Sequence, residues 1–159
     1  MCRDFIDVET GEVRVSSEPA ILRAIAVGSC VVVTAYDRYK KLGGLAHVML
    51  PGRSPGERYE DKTKYAEDAL DILFGAVKKA GAKTERLEVC LIGGANILGE
   101  GDISEKVAES VIGYLNKLEI KIKGKRLGGA QRRAVYLDVA SGKISYSEGG
   151  GPVTGLEGT

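Results

Sequence analysis

Residues 20–36 restrict this chain most. Two apolar, β-branched runs, Ala20-Ile-Leu-Arg-Ala-Ile-Ala-Val27 and Cys30-Val-Val-Val-Thr-Ala-Tyr36, are separated only by Gly28-Ser29. Short apolar or β-branched runs of this kind read as strands. A third run, Leu42–Leu50, follows Asp37-Arg38-Tyr39-Lys40, a four-residue turn with Asp in the position type I turns favour. Residues 12–16 alternate in the strand period and predict one more strand.

After the Pro- and Gly-rich loop Pro51–Gly56, two amphipathic helices are predicted. The first carries Tyr65, Ala69, Ile72, Leu73, Ala76 and Ala80 on one stripe, with Gly81 to end it. The second carries Val107, Val111, Tyr114, Leu115 and Leu118, with Asp102 or Ser104 as its N-cap. Between them Leu87–Ile92 is a strand ending in Gly93-Gly94-Ala95. Further strands are expected near 119–123, 133–139 and 143–147, the last two joined across Ala140-Ser141-Gly142. The expectation is one mixed α/β domain over residues 1–147 with a substantial antiparallel sheet, followed by a flexible Gly-rich tail over 148–159.

Composition removes several functions. Lys plus Arg (23) nearly balances Asp plus Glu (22) for a net charge of +1, whereas a general nucleic-acid binder needs a basic excess to displace phosphate counterions. No apolar run reaches the roughly 18–20 residues that span a bilayer, and the N-terminus has no secretory pattern. A cytoplasmic location without membrane insertion is expected. The cysteines (Cys2, Cys30, Cys90) are too scattered for a disulfide framework, and no CxxC, HExxH, P-loop or GxGxxG spacing occurs. Neither a metal nor another cofactor is expected. Lys121, Lys123, Lys125, Arg126, Arg132 and Arg133 read as a solvated strand face, the alternative being a surface that meets an acidic partner.

The chemistry concentrates on Cys30 and His47, the only histidine. Centring the hairpin between Arg38 and Tyr39 sets Asp37 opposite Lys40 and Cys30 opposite His47. Directly opposed residues have Cβ atoms about 4.5–5.5 Å apart on one face, whereas a one-residue slip would separate them. An imidazole that takes the thiol proton lowers the thiol pKa and yields a nucleophile for acyl carbons, and it can later protonate a departing amine. Gly28 and Ser29, and the turn at Gly93-Gly94, could bring backbone N–H groups to an oxyanion. Taken singly, each residue has a plainer reading: a buried thiol beside three valines, a hydrogen-bonded core imidazole, a tight turn. Cys90, in Glu-Val-Cys-Leu-Ile, reads as core.

Gly28-Ser29-Cys30-Val31-Val32 and Gly44-Leu45-Ala46-His47-Val48-Met49-Leu50-Pro51 resemble the CheD family of chemoreceptor glutamine deamidases. Lys64-Tyr65-Ala66, Gly93-Gly94-Ala95, Gly128-Gly129 and Ser141-Gly142-Lys143 continue the likeness over residues 20–147. The resemblance implies a three-layer α/β/β sandwich with largely antiparallel mixed sheets. It also implies a cytoplasmic protein-glutamine amidohydrolase of chemotaxis, with Cys30 as nucleophile and His47 as base. Its expected partners are chemoreceptor cytoplasmic domains and a CheC-type phosphatase of CheY. Two positions depart from the pattern. Ala24 stands where the family has a triad Thr, leaving a backbone carbonyl, Ser29 or Thr34 to orient His47, and Arg126 replaces an acidic residue. The alternative, motivated by Ala24 together with the basic stretch at 121–133, is a catalytically weakened relative that acts by binding the CheC-type phosphatase or receptors.

Overall fold

The computed structural model describes residues 4–97, 99 and 103–156. Its elements are β1 (Asp4–Asp7), β2 (Val13–Ser16), β3 (Ala20–Val27), β4 (Val31–Asp37), β5 (Leu42–Val48), α1 (Tyr59–Lys62), α2 (Ala66–Lys79), β6 (Glu88–Gly93), α3 (Ile103–Lys117), β7 (Ile122–Leu127), β8 (Arg133–Asp138), β9 (Ile144–Glu148) and β10 (Thr154–Gly155), with a 3-10 turn at Thr84–Arg86. One five-stranded sheet runs β1-β3-β8-β9-β10 and the other β2-β5-β4-β6-β7. β1/β3 and β6/β7 pair parallel; the remaining strand pairs are antiparallel.

All seven residues of β4 are buried, the polar Thr34 and Asp37 among them. Val31, Val33 and Ala35 pack with α2 and α3, whereas Val32 and Tyr36 pack with Leu22, Val135 and Leu137 of the other sheet. This alternation, period two, makes the central strand the middle of three layers: helices, sheet, sheet. The expected α/β/β sandwich is therefore what the chain forms. Close approach of α2 depends on Gly44, where a Cβ would lie 2.6 Å from Leu73 Cδ1.

Several expected details differ. The buried stripe of α2 is Ala66, Ala69, Leu70, Leu73, Phe74 and Val77, about one residue round from the expected one, and Ala80 is exposed. Alanine suits either face of a helix, so it misplaced the stripe. β7 begins at Ile122 rather than 119 because Glu119 takes a left-handed conformation (φ 60°) that closes α3. Ser104 lies inside α3, buried, and Asp102 is outside the described residues. The Gly-rich stretch expected as a free tail packs on the domain as far as Leu156, with residues 157–159 outside the described residues: Thr154 and Gly155 pair with Tyr146 and Ser145, and Leu156 is buried in the core between the sheets. Glycine content signalled flexibility; one leucine, whose N–H donates to the Ile144 carbonyl at 2.8 Å, anchors the return.

Candidate active site

β4 and β5 pair Asp37 with Leu42 and Val32 with His47, so the hairpin register differs by two residues from the one expected, and Cys30 is not directly opposite His47. The cause is a longer loop: Asp37 stays in the strand, its Oδ1 accepts the N–H groups of Tyr39 and Lys40 (3.0 and 3.2 Å), and Lys41 turns with φ 51°. An even slip preserves the face. Val32 faces the core between the sheets together with Cys30, which is half-buried just before the first residue of β4. The nucleophile candidate thus sits diagonally from the imidazole on the shared inter-sheet side.

His47 is held from three directions by the segment between β1 and β2. Its N–H donates to the Glu12 carbonyl (3.0 Å), its carbonyl accepts the Gly11 N–H (2.9 Å), and its Nδ1 lies 3.1 Å from the Val8 carbonyl. A carbonyl only accepts, so Nδ1 carries the proton and Nε2 a lone pair. Nε2 is buried and has no hydrogen-bond partner among the described residues. Burial lowers the imidazole pKa, and the Val8 hydrogen bond with Glu9 and Glu12 recovers only part of the shift. The result is a neutral, oriented base. Of the three stand-ins for the missing Thr hydroxyl, a backbone carbonyl fills the place; Ala24 is wholly buried opposite Val135.

Cys30 is fixed by the glycine turns. Its carbonyl accepts the Gly94 N–H (2.8 Å), and the Gly28 carbonyl accepts the Ala95 N–H (2.9 Å). At Gly93 (φ 132°) a Cβ would fall 2.3 Å from the Cys30 carbonyl oxygen, so only glycine lets the strands approach here. The Gly94 N–H is therefore taken up by the Cys30 backbone rather than offered to an oxyanion. Among the described residues the N–H groups of Ser29 and Cys30 have no backbone acceptor. Burial pushes the Cys30 thiol above its ordinary value, and its own backbone N–H offsets only part of that. Both directions favour the neutral thiol and the neutral imidazole, the reverse of a thiol pKa lowered by His47.

Arg133 supports the glycine turn beside Cys30 from a position that the charge pattern concealed. Read as part of a solvated basic face, its side chain is 1% exposed. It donates from Nη1 to the Gly93 carbonyl (3.1 Å), which also accepts the Gly128 N–H (3.0 Å), and from Nη2 to Glu148 (3.1 Å). Arg126 binds the other oxygen of Glu148 at 2.9 Å, so the position that departs from the family's acidic residue is satisfied by a carboxylate from β9. Cys90 is core, as expected. Among the described residues no His/Cys/Asp/Glu cluster could hold a metal, and no helix is long and apolar enough to cross a membrane.

Two stacked sheets under one helical layer, with a cysteine at the mouth of the central strand and an oriented histidine on the same inner face, define a three-layer α/β/β protein. Comparison with known proteins narrows that class. The profile of the family described as "CheD chemotactic sensory transduction" matches residues 49–148, a stretch that begins just after His47. The chain is 34% identical over 145 residues to the "Probable chemoreceptor glutamine deamidase CheD" of Chlorobium luteolum, covering 90% of this chain and 72% of that protein. It is 36% identical over 143 residues to the "Chemoreceptor glutamine deamidase CheD" of Thermotoga maritima, covering 89% of this chain and 90% of that one. A third relative, from Halalkalibacterium halodurans, is 32% identical over 149 residues. The chain belongs to the CheD family.

Proposed function

We propose that this protein converts selected glutamine side chains of chemoreceptor cytoplasmic domains to glutamate through a thioester on Cys30. The observation that carries the reading is the His47 imidazole, pinned at Nδ1 by the Val8 carbonyl with a free lone pair at Nε2. The names of the relatives supply the substrate class.

With neutral partners at rest, the thiol proton moves to Nε2 as the sulfur attacks the carboxamide carbon. The C–S bond forms while the carbonyl π pair moves to oxygen, and the N–H groups of Ser29 and Cys30, which have no backbone acceptor among the described residues, are assigned to that oxyanion. The tetrahedral species collapses, the C–N bond breaks, and the imidazolium returns its proton to the departing ammonia. Water, deprotonated by His47, then attacks the thioester and releases the carboxylate and the thiol. Gly28 leaves space for the approach, and Gly93-Gly94 hold the Cys30 backbone.

Ammonia release from purified receptor cytoplasmic fragments tests this. Wild type should release it and Cys30→Ala should not; equal release from both would sink the proposal. The weakened, binding-only alternative rested on Ala24 together with the basic stretch at 121–133; the Val8 carbonyl supports activity despite Ala24. Docking on a CheC-type phosphatase is compatible with this activity, and co-purification of the two proteins checks it.

A further inference from the structure

The open edges of the two sheets, β7 and β10, flank a groove of about 670 Å³ whose lining includes Lys123, Gly124, Lys125, Arg126, Tyr146 and Thr154. An edge strand presents unpaired backbone N–H and C=O groups that can template another strand. The chain as a whole is nearly neutral, yet this edge is not. Glu88 is shared by Arg38 and Lys123, and Glu148 by Arg126 and Arg133, so each local carboxylate meets two cations. Lys121 and Lys125 are exposed and have no anionic partner among the described residues. The edge therefore keeps a net positive charge that the fold itself does not neutralise.

We infer that this edge is a docking surface for an extended acidic segment of a partner protein, which adds to β7 as a further strand with its carboxylates beside the unpaired Lys121 and Lys125. A second copy of the chain is a poor occupant, because it would bring the same cations to the contact. Backbone pairing supplies affinity that is indifferent to sequence, and the lysines supply the preference for acid. The groove lining includes neither Cys30 nor His47, and the proposal does not depend on their chemistry.

The test uses the whole protein and a fluorescent peptide of about eight residues, a strand length, alternating Glu and Val. Saturable binding by anisotropy is expected, with amide shift changes in 15N–1H spectra at residues 122–126 and 154–156. Replacing Glu by Gln in the peptide, or making Lys121→Glu with Lys125→Glu, should weaken binding roughly tenfold or more, and raised salt should do the same. The doubly substituted protein should keep wild-type alkylation of Cys30, showing that it is folded. Absence of binding, equal affinity for the Gln peptide, or shift changes elsewhere would overturn the inference. Tighter binding to poly-U RNA or to phosphatidylserine vesicles than to the peptide would also overturn it, in favour of unselective polyanion attraction.

Discussion

The carbonyl oxygen of Val8 lies 3.1 Å from Nδ1 of His47 and fixes which imidazole nitrogen is free. A main-chain atom from the segment after β1 thus does what a side-chain hydroxyl would otherwise do. Restoring a hydroxyl should bring little. Ala24→Thr is expected to leave ammonia release within about threefold of wild type while costing about 1–3 kcal/mol of stability, since the site is fully buried and overpacking is unfavourable. Steady-state kinetics and urea titration check both halves. A large gain in rate would show that the Val8 contact is insufficient.

Cys30 should alkylate slowly near neutrality. Because burial raises its thiol pKa, the rate with iodoacetamide should still be climbing beyond the ordinary thiol range of about 8.5. A plateau already reached by pH 7 would mean that a thiolate–imidazolium pair exists at rest.

The same burial makes His47 a source of acid sensitivity. Its folded pKa lies below the unfolded value of about 6.5, so below that pH the unfolded chain binds the proton more readily. The contribution to stability is complete above about pH 6.5 and is lost as pH falls toward the folded pKa, with a slope of at most about 1.4 kcal/mol per pH unit. Denaturant midpoints of wild type should therefore fall between pH 7 and 5 more steeply than those of His47→Gln. Parallel curves for the two proteins would contradict this.

Removing the guanidinium under the glycine turn should be costly. Arg133→Met strips a hydrogen bond from the Gly93 carbonyl and leaves Glu148 with Arg126 alone, an expected loss of about 3 kcal/mol. Arg126→Ala, at an exposed pair, should cost less than about 1 kcal/mol. Thermal or chemical unfolding of the two variants decides the order.

Gly93→Ala should silence the site. The new methyl would fall 2.3 Å from the Cys30 carbonyl oxygen, so that carbonyl must shift and strain its bond with the Gly94 N–H. Ammonia release is expected to fall at least about tenfold, the cost of misplacing a reacting group. Activity near wild type would show that Cys30 is not positioned by this turn.

The strands were legible in their apolar runs, as in Val31-Val32-Val33, whereas the stacking into three layers came only from the family resemblance, because an apolar run does not say what covers each face. The site was legible only in part. Cys30 and His47 stood out by type, but their register turned on whether Asp37 belonged to the strand or the turn, and its side chain can cap the loop from inside the strand. The error was even, so the shared face survived. The Val8 carbonyl had no signal, since every residue has one. Arg133 was misread because charge normally means solvent, and only Glu148, fifteen residues away, makes its burial tolerable. Short elements such as β1, α1 and β10 carry too few residues to show a period.

Hydroxylamine trapping tests the central claim most directly. If glutamine turnover passes through a thioester on Cys30, adding hydroxylamine should divert product from glutamate to glutamyl hydroxamate on the receptor fragment, in proportion to its concentration, while ammonia release is not lowered. Cys30→Ala should give neither product. Glutamate formation that hydroxylamine does not divert, or that persists in Cys30→Ala, would contradict the account.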